Sequence, residues 1–145
     1  MINSGLMTWQ SWAFLSAVFA ALTAIFAKVG VLDINSDMAT LIRTVIILCV
    51  LALIVLTSGQ WEALSAISSR TWLFLTLSAL ATGASWVCYF RALKIGDAAR
   101  VAPVDKLSIV LVALFGVLLL GERLSAAKWI GVGLCTAGIV LVAMR

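Results

Sequence analysis

Apolar residues occur in five long stretches that are separated by short polar connections. The stretches cover Trp9–Ala27, Met38–Thr57, Thr71–Phe90, Val104–Leu120 and Ser125–Met144. Each holds about 17 to 20 residues, and a helix of that length crosses a hydrocarbon core of about 30 Å. The alternation of period two that marks barrel strands is absent, and a backbone in lipid must satisfy its own hydrogen bonds. The pattern predicts an all-α fold, a polytopic membrane bundle of five transmembrane helices at about residues 9–28, 38–57, 71–94, 104–120 and 125–144.

The composition supports the same class of protein. Hydrophobic residues make up 64% of the chain and charged residues 11%, too little polar surface to coat a water-soluble globule. The first stretch has no basic leader and no small-residue cleavage site, so we expect it to remain as the first helix. Cys49, Cys88 and Cys135 lie inside stretches without metal-ligand spacing. We expect small buried hydrophobes with no disulfide, no metal and no cofactor.

The distribution of charge along the chain bears on the binding partners and on the orientation of the chain in the membrane. The formal net charge is +4, but the basic residues are scattered singly at helix ends, where they meet lipid headgroups, so nucleic acid is excluded as a partner. One side of the membrane collects Lys28, Arg43, Arg91, Lys94, Arg100, Lys106 and Arg145, and the other collects Arg70, Arg123 and Lys128. The positive-inside tendency predicts a cytoplasmic carboxyl terminus and an amino terminus outside. Without Arg43 and Arg91, which lie within the membrane boundary, the bias is smaller, and dual insertion is the alternative.

Two connections have distinctive residues. Between the third and fourth stretches, Gly96 can end a helix and Pro103 can occupy the first position of the next. Between the fourth and fifth, Gly121–Leu124 is so short that the two helices must pack as an antiparallel pair, and Ser125 can cap the last helix. The charged break near Pro103, with Asp105 and Lys106, is a candidate gate.

The number of spans is odd. A tandem duplication of such a unit gives two halves of opposite orientation, an arrangement common in transporters. One copy holds half of that architecture. We therefore expect a transporter built from this chain to be a homodimer or a heterodimer with a paralogue.

The spans carry polar side chains but no catalytic constellation. Histidine, paired carboxylates within one span and a Gly-rich phosphate loop are all missing, so we expect no enzyme. Helical spacing aligns polar and aromatic residues on one face of the first span and on one face of the third. These candidates for a substrate pathway are Trp12, Ser16 and Thr23, and Ser78, Thr82, Ser85 and Tyr89. The alternative is that the hydroxyls pack at helix contacts or bond their own backbone.

Arginines within the membrane boundary are further candidates. Arg43 lies about five residues into the second span, where it either snorkels to headgroups or takes part in a solute site. The same two interpretations, snorkelling or a role in a solute site, apply to Arg91. Asp105 and Lys106 can pair with Arg91 or Arg100, either as a gate or as a structural ion pair. The embedded charges are mainly basic, which favours an anionic or zwitterionic solute.

Small residues recur along the fifth span. Ala127, Gly131 and Cys135 are spaced by four, and Gly133 and Ala137 lie on a neighbouring face. Because small residues let two helix backbones approach closely, this span is the expected dimer surface. Packing within one chain is the alternative.

Several motifs carry a resemblance to a known family. Tyr89–Gly96, Val101–Pro103, Leu120–Glu122, Trp129–Gly131 and Gly138–Ile139 together resemble the EamA domain of the drug/metabolite transporter superfamily. The likeness covers Trp86 to Ala143 most closely, and Arg43 matches a common arginine of the second helix. Most relatives carry two such domains, so residues 1–145 resemble a single-domain, five-helix bacterial member.

The last two spans are also similar to those of the small multidrug resistance proteins, whose last helix forms the dimer contact. The first span lacks the essential glutamate of those exporters, which argues against proton-coupled export of cationic drugs. The resemblance implies a small-solute transporter subunit of the bacterial inner membrane that works by alternating access as a dimer. The alternatives are an accessory or scaffold subunit of a membrane complex, and the flipping of a lipid-linked substrate.

Overall fold

The computed structural model describes residues 8–144, and its ordered elements are helices. Five of them are long and apolar enough to cross a membrane: Trp9–Gly30, Ser36–Thr57, Ser69–Ile95, Ala98–Leu120 and Ala126–Ala143. Residues 8–144 contain no strand, so the predicted all-α fold with five membrane-spanning helices is confirmed. The expectations for the two chain ends, including Arg145, concern positions outside the described residues.

Six α-helices make up these spans because the fourth span is interrupted. They are α1 (Trp9–Gly30), α2 (Ser36–Thr57), α3 (Ser69–Ile95), α4 (Ala98–Asp105), α5 (Ser108–Leu120) and α6 (Ala126–Ala143), with a short 3₁₀ turn at Leu64–Ala66. The chain divides into two compact units. The first unit holds the described residues up to Lys28 together with those from Gly96 onward, and the second unit is Val29–Ile95.

The second unit is a pair of helices, α2 packed on α3. Asn35 begins α2, because its side-chain oxygen accepts hydrogen bonds from the backbone N–H groups of Asp37 at 2.8 Å and Met38 at 3.4 Å, the usual role of an N-cap. Val31 and Leu93 are fully buried. The end of the pair that carries the loop between α1 and α2 is therefore its best-packed part.

In the first unit, α6 packs against α4 and α5. The turn between α5 and α6 uses Gly121 at φ +68°, a left-handed conformation that glycine adopts without a steric penalty. The carbonyl of Gly116 accepts hydrogen bonds from the amides of both Gly121 and Glu122. Spans four and five contact each other as predicted. Ser125 precedes α6 as its N-cap, but its side chain makes no capping hydrogen bond.

The position of Pro103 differs from the prediction. Helix α4 begins at Ala98, after Asp97, and Pro103 lies inside it, not at the first helical position. Alanines at 98, 99 and 102 favour helix before the proline. The helix is interrupted at Lys106 and Leu107, whose amides bond the carbonyls of Pro103 and Val104 three residues back. A proline inside a helix lacks a backbone donor and crowds the preceding turn, but the interruption comes three residues after Pro103, so the charged break begins later than predicted.

Most apolar side chains of the spans are exposed. Buried residues make up between 0% and 11% of each span, and such helices are compatible with lipid, not water, as the surrounding solvent. The same exposure corrects the prediction for the cysteines. Cys49, Cys88 and Cys135 are free thiols, but all three are exposed and not buried, because a thiol on a lipid-facing surface is already in an apolar medium.

Candidate functional site

Three basic side chains follow one another from the end of the second unit toward its middle. The outermost, Lys94, donates hydrogen bonds from its Nζ to the carbonyl oxygens of Val31 at 2.7 Å and Ile34 at 3.0 Å, and to that of Leu32. An ammonium group has three N–H donors. All three are engaged by the loop that leads into α2, so Lys94 fastens that loop to the end of α3.

The middle cation, Arg91, has a carboxylate partner. Its Nε donates to Oδ1 of Asp37 at 2.9 Å and its Nη2 donates to Oδ2 at 2.7 Å, the two-point geometry that a guanidinium makes with a carboxylate. The side chains are 62% and 49% exposed. Asp37 is in the first turn of α2, where a negative charge also suits the helix dipole. The charge of Arg91 is therefore balanced within the second unit.

The innermost cation, Arg43, rests on aromatic rings. Its Cζ atom lies 4.2 Å from the centre of the Trp86 ring and 5.5 Å from that of Phe90. Trp86 and Phe90 are four residues apart on α3 and therefore share a face. Such cation–π contacts contribute about 0.5 to 2 kcal/mol. They hold the guanidinium against α3.

The Arg43 guanidinium has no carboxylate partner. Among residues 8–144 the ion pairs are Arg91–Asp37 and Lys106–Asp105, and Arg43 donates no hydrogen bond to a carboxylate or carbonyl oxygen. Arg43 is seven residues after Ser36, which places its Cα about 10 Å along the helix from the start of α2. A charge at such depth is costly without a partner. Arg43 is thus the candidate binding group among these three cations.

The predicted hydroxyl stripe on α3 lies beside the Trp86–Phe90 face. Ser78, Thr82 and Ser85 are exposed and Tyr89 is half-buried. Thr82 donates its hydroxyl to the carbonyl of Ser78 at 2.9 Å, the local backbone bond that the structural interpretation predicts. Ser85 and Tyr89 flank Trp86 in sequence and therefore stay the best placed of the four as pathway candidates.

The other pathway and gate candidates belong to the first unit. On α1, Trp12 and Ser16 are exposed and Thr23 is half-buried. In α4, the Asp105 carboxylate accepts a hydrogen bond from the Nζ of the neighbouring Lys106 at 2.9 Å. Within this unit, Asp105 does not make the expected pair with Arg100. Arg91 binds Asp37, and Arg100 donates to the carbonyl of Ala143 at 2.9 Å, which satisfies an acceptor at the end of α6.

The small residues predicted as a dimer surface are open within this chain. Ala127, Cys135 and Ala137 are exposed. A Cβ atom added to Gly131 or Gly133 meets no atom within 4 Å. Within the first unit, no neighbouring helix therefore packs closely on these two glycines.

Sequence reasoning missed the partners of the arginines. Asp37 was not singled out, although its place in a first helical turn is a recognisable signal. Trp86 and Phe90 were not singled out as a cation-binding pair, although their spacing of four was readable. The part of the chain that the structure describes contains no group of three His, Cys, Asp or Glu side chains that could hold a metal ion.

Five helices that are long and apolar enough to cross a membrane define a helical multi-pass membrane protein. The profile of the EamA-like transporter family matches residues 7–144. An uncharacterized transporter in the cobO 3'region of Sinorhizobium sp is 69% identical over 137 residues, which are 94% of this chain and 97% of that protein. No solved structure matches the chain. The chain belongs to the EamA-like transporter family, which confirms the resemblance, and it is a membrane transporter.

Proposed function

We propose that this chain is a subunit of a small-solute transporter of the bacterial cell membrane and that it works by alternating access as a dimer. The observation that supports this most strongly is Arg43, a cation within a span that is held in place by Trp86 and Phe90 and forms no ion pair with a carboxylate of the described residues. Membrane-embedded charges are retained at solute and ion pathways.

Dimer formation follows from the number of spans and from α6. Five spans supply half of the inverted arrangement that alternating access requires, and a second copy or a paralogue completes it. The open backbone at Gly131 and Gly133 offers a surface for close helix packing. In this proposal α6 carries the dimer contact, and the other spans line the path.

The gate and the orientation complete the proposal. The helix break after Pro103 gives the fourth span a point at which it can bend. The basic residues Lys28, Lys94 and Arg100 mark the cytoplasmic side. In this orientation the amino terminus is outside, and the carboxyl terminus and the break at Pro103 are cytoplasmic.

Transport in proteoliposomes tests the proposal. The vesicles contain this chain alone, or with one paralogue, and are exposed to a radiolabelled panel of sugars, amino acids, organic acids and organic cations. We expect accumulation of at least one solute over empty vesicles. Ser85→Ala or Tyr89→Phe should reduce the initial rate while the dimer persists in crosslinking.

Gly131→Leu should abolish both the dimer and the transport, whereas the matched change Leu134→Met on another exposed face of α6 should affect neither. A chain that assembles through α6 but moves no solute in any combination is an accessory subunit. That result would contradict the proposal.

A further inference from the structure

We propose that Arg43 binds a singly charged oxyanion, a carboxylate, of the transported solute. This inference rests on the proposed transport function and names the chemical class of its substrate. The N–H edge of the guanidinium meets the carboxylate, while its flat face stays on the Trp86 ring.

The geometry of the guanidinium permits both contacts at once. Contact with an aromatic ring can use the flat face of a guanidinium, and Cζ of Arg43 lies 4.2 Å from the Trp86 ring centre. The five N–H donors point outward in the plane, in a fork that matches the two oxygens of a carboxylate. Trp86 therefore orients the fork without consuming its donors.

A comparison with the neighbouring cations explains why the site is at Arg43. The Lys94 ammonium is occupied by three loop carbonyls, and the Arg91 guanidinium is occupied by both oxygens of Asp37. Both belong to the same helix pair and lie nearer its end. Of the three, Arg43 alone donates no hydrogen bond to a carboxylate or carbonyl oxygen of the described residues, and it is the one farthest from the end of the span.

The surrounding charges select among solute classes. Asp37 is the acidic side chain of helices α2 and α3, and Arg91 already neutralises it, so an organic cation finds no unpaired carboxylate on these two helices. A doubly charged phosphate needs a second cation, and Arg91 and Lys94 are engaged elsewhere. A single carboxylate balances the single charge of Arg43, and the exposed apolar surface around it suits a carboxylate with an apolar body.

A phospholipid headgroup offers the same chemistry, because its phosphodiester is also a singly charged oxyanion. The two sources differ in one measurable way. A dissolved solute can bind the protein even when the bilayer contains only zwitterionic lipid. A headgroup competes with the solute for Arg43 only when anionic lipid is present.

Fluorescence of Trp86 tests the site directly. Replacing the other five tryptophans by phenylalanine leaves Trp86 as the single reporter; these are Trp9, Trp12, Trp61, Trp72 and Trp129. The protein is placed in phosphatidylcholine nanodiscs at neutral pH and titrated with cyclohexanecarboxylate. Cyclohexanecarboxamide and cyclohexylammonium are the neutral and cationic probes of the same shape. Calorimetric titration of the unmodified chain provides a second readout.

We expect a saturable change with the carboxylate and none with the amide or the ammonium. Arg43→Gln should weaken binding at least about tenfold, the effect of losing a charge-assisted hydrogen bond of about 1.4 kcal/mol or more. Arg43→Lys keeps the positive charge but not the two-point hydrogen-bonding edge. Its affinity for the carboxylate should therefore lie between that of the unmodified chain and that of Arg43→Gln. Trp86→Leu, read by calorimetry, should weaken binding about threefold to tenfold.

The matched control is the double change Asp37→Asn with Arg91→Gln, which removes a neutral ion pair and keeps the net charge. This double variant should bind the carboxylate with an affinity within about twofold of the unmodified chain, which is far less than the tenfold loss expected for Arg43→Gln. Carboxylate affinity that is unchanged by Arg43→Gln and Arg43→Lys overturns the proposal, as does equal binding of the amide. Loss of the carboxylate signal in nanodiscs that contain phosphatidylglycerol would mean that a lipid headgroup occupies the site. If Arg43→Gln also restores the mobility of the lipids near Trp86, Arg43 binds that headgroup. These two results together also overturn the proposal.

The outcome separates this inference from the proposed function. Arg43-dependent carboxylate binding by a chain that moves no solute leaves the site standing and removes the transport mechanism. Solute transport that is insensitive to Arg43→Gln leaves the transport function standing and removes the carboxylate site.

Discussion

Arg91 on α3 and Asp37 in the first turn of α2 form a two-point ion pair, with N–O distances of 2.9 and 2.7 Å. The pair joins two helices whose sequence positions are 54 residues apart. It removes Arg91 from the set of free cations in the second unit. Arg91 was predicted as a pathway residue, and its occupied side chain favours a structural role.

The first prediction concerns this ion pair. Arg91→Gln and Asp37→Asn should each lower the midpoint of thermal unfolding in detergent, because each leaves a charged partner uncompensated. The exchange Asp37→Arg with Arg91→Asp should recover about half of the loss or more, since paired residues couple in a double-mutant cycle. Equal, additive losses in all variants contradict a direct pair.

A second prediction concerns the loop that Lys94 holds. Lys94→Met has a similar length but no donors, so the carbonyls of Val31, Leu32 and Ile34 lose their partner. Hydrogen exchange of residues 31–35 should accelerate about fivefold or more, the size expected when hydrogen bonds from a charged donor are lost.

The matched control for this loop is Lys106→Met. Its ammonium pairs with adjacent Asp105 in α4, outside the second unit, and the exchange of residues 31–35 should not change. If both variants have wild-type exchange there, Lys94 does not fasten the loop.

The third prediction concerns Gly116 in α5. A Cβ atom at this position comes 2.9 Å from Oε2 of Glu122, so an alanine there pushes the carboxylate away. Alanine otherwise favours a helix interior over glycine by about 0.5 to 1 kcal/mol. Gly116→Ala should therefore stabilise the protein more in a Glu122→Ala background than when Glu122 is present, as measured by unfolding midpoints.

Gly83 is the control glycine, because an added Cβ meets no atom within 4 Å there. Gly83→Ala should change stability equally with and without Glu122. An identical effect of Gly116→Ala in both backgrounds means that Glu122 does not rest on Gly116.

The fourth prediction concerns the break in the fourth span. Pro103→Ala restores a backbone donor inside α4 and should raise the unfolding midpoint, with a gain of up to about 3 kcal/mol. If the break is the gate, the same variant should transport more slowly, because a continuous helix bends less easily. Faster or unchanged transport by a stabilised Pro103→Ala protein excludes the break as a gate.

Sequence reasoning predicted the spans better than the side-chain contacts. The spans follow from hydropathy, which is a property of each segment alone, and the prediction of five is confirmed, although the fourth begins earlier, at Ala98. Pro103 was misplaced because the alanines before it extend the helix toward Asp97. The pairing of Arg91 with Asp37, and not with Asp105, depends on how α2 and α3 meet, which no local pattern encodes.

For Arg43 the sequence left two interpretations open. The position of Arg43 in its helix gives the depth of its Cα in the membrane but not the direction of its side chain. Snorkelling to headgroups and a role in a solute site were therefore both possible. The stacking on Trp86 and Phe90 depends on the register of α2 against α3. The spacing of those two aromatic residues indicated a shared face, but not which cation faces it.

Thiol labelling from each side of the membrane tests the alternating-access mechanism most directly. In a background with serine at Cys49, Cys88 and Cys135, Ser85→Cys is treated with a membrane-impermeant maleimide applied from outside or from inside. Ser65→Cys, in the loop between α2 and α3, reports the orientation. The account predicts that Ser65→Cys reacts from one side only and that Ser85→Cys reacts from both sides. Labelling of Ser85→Cys from one side alone, or from neither, would contradict it.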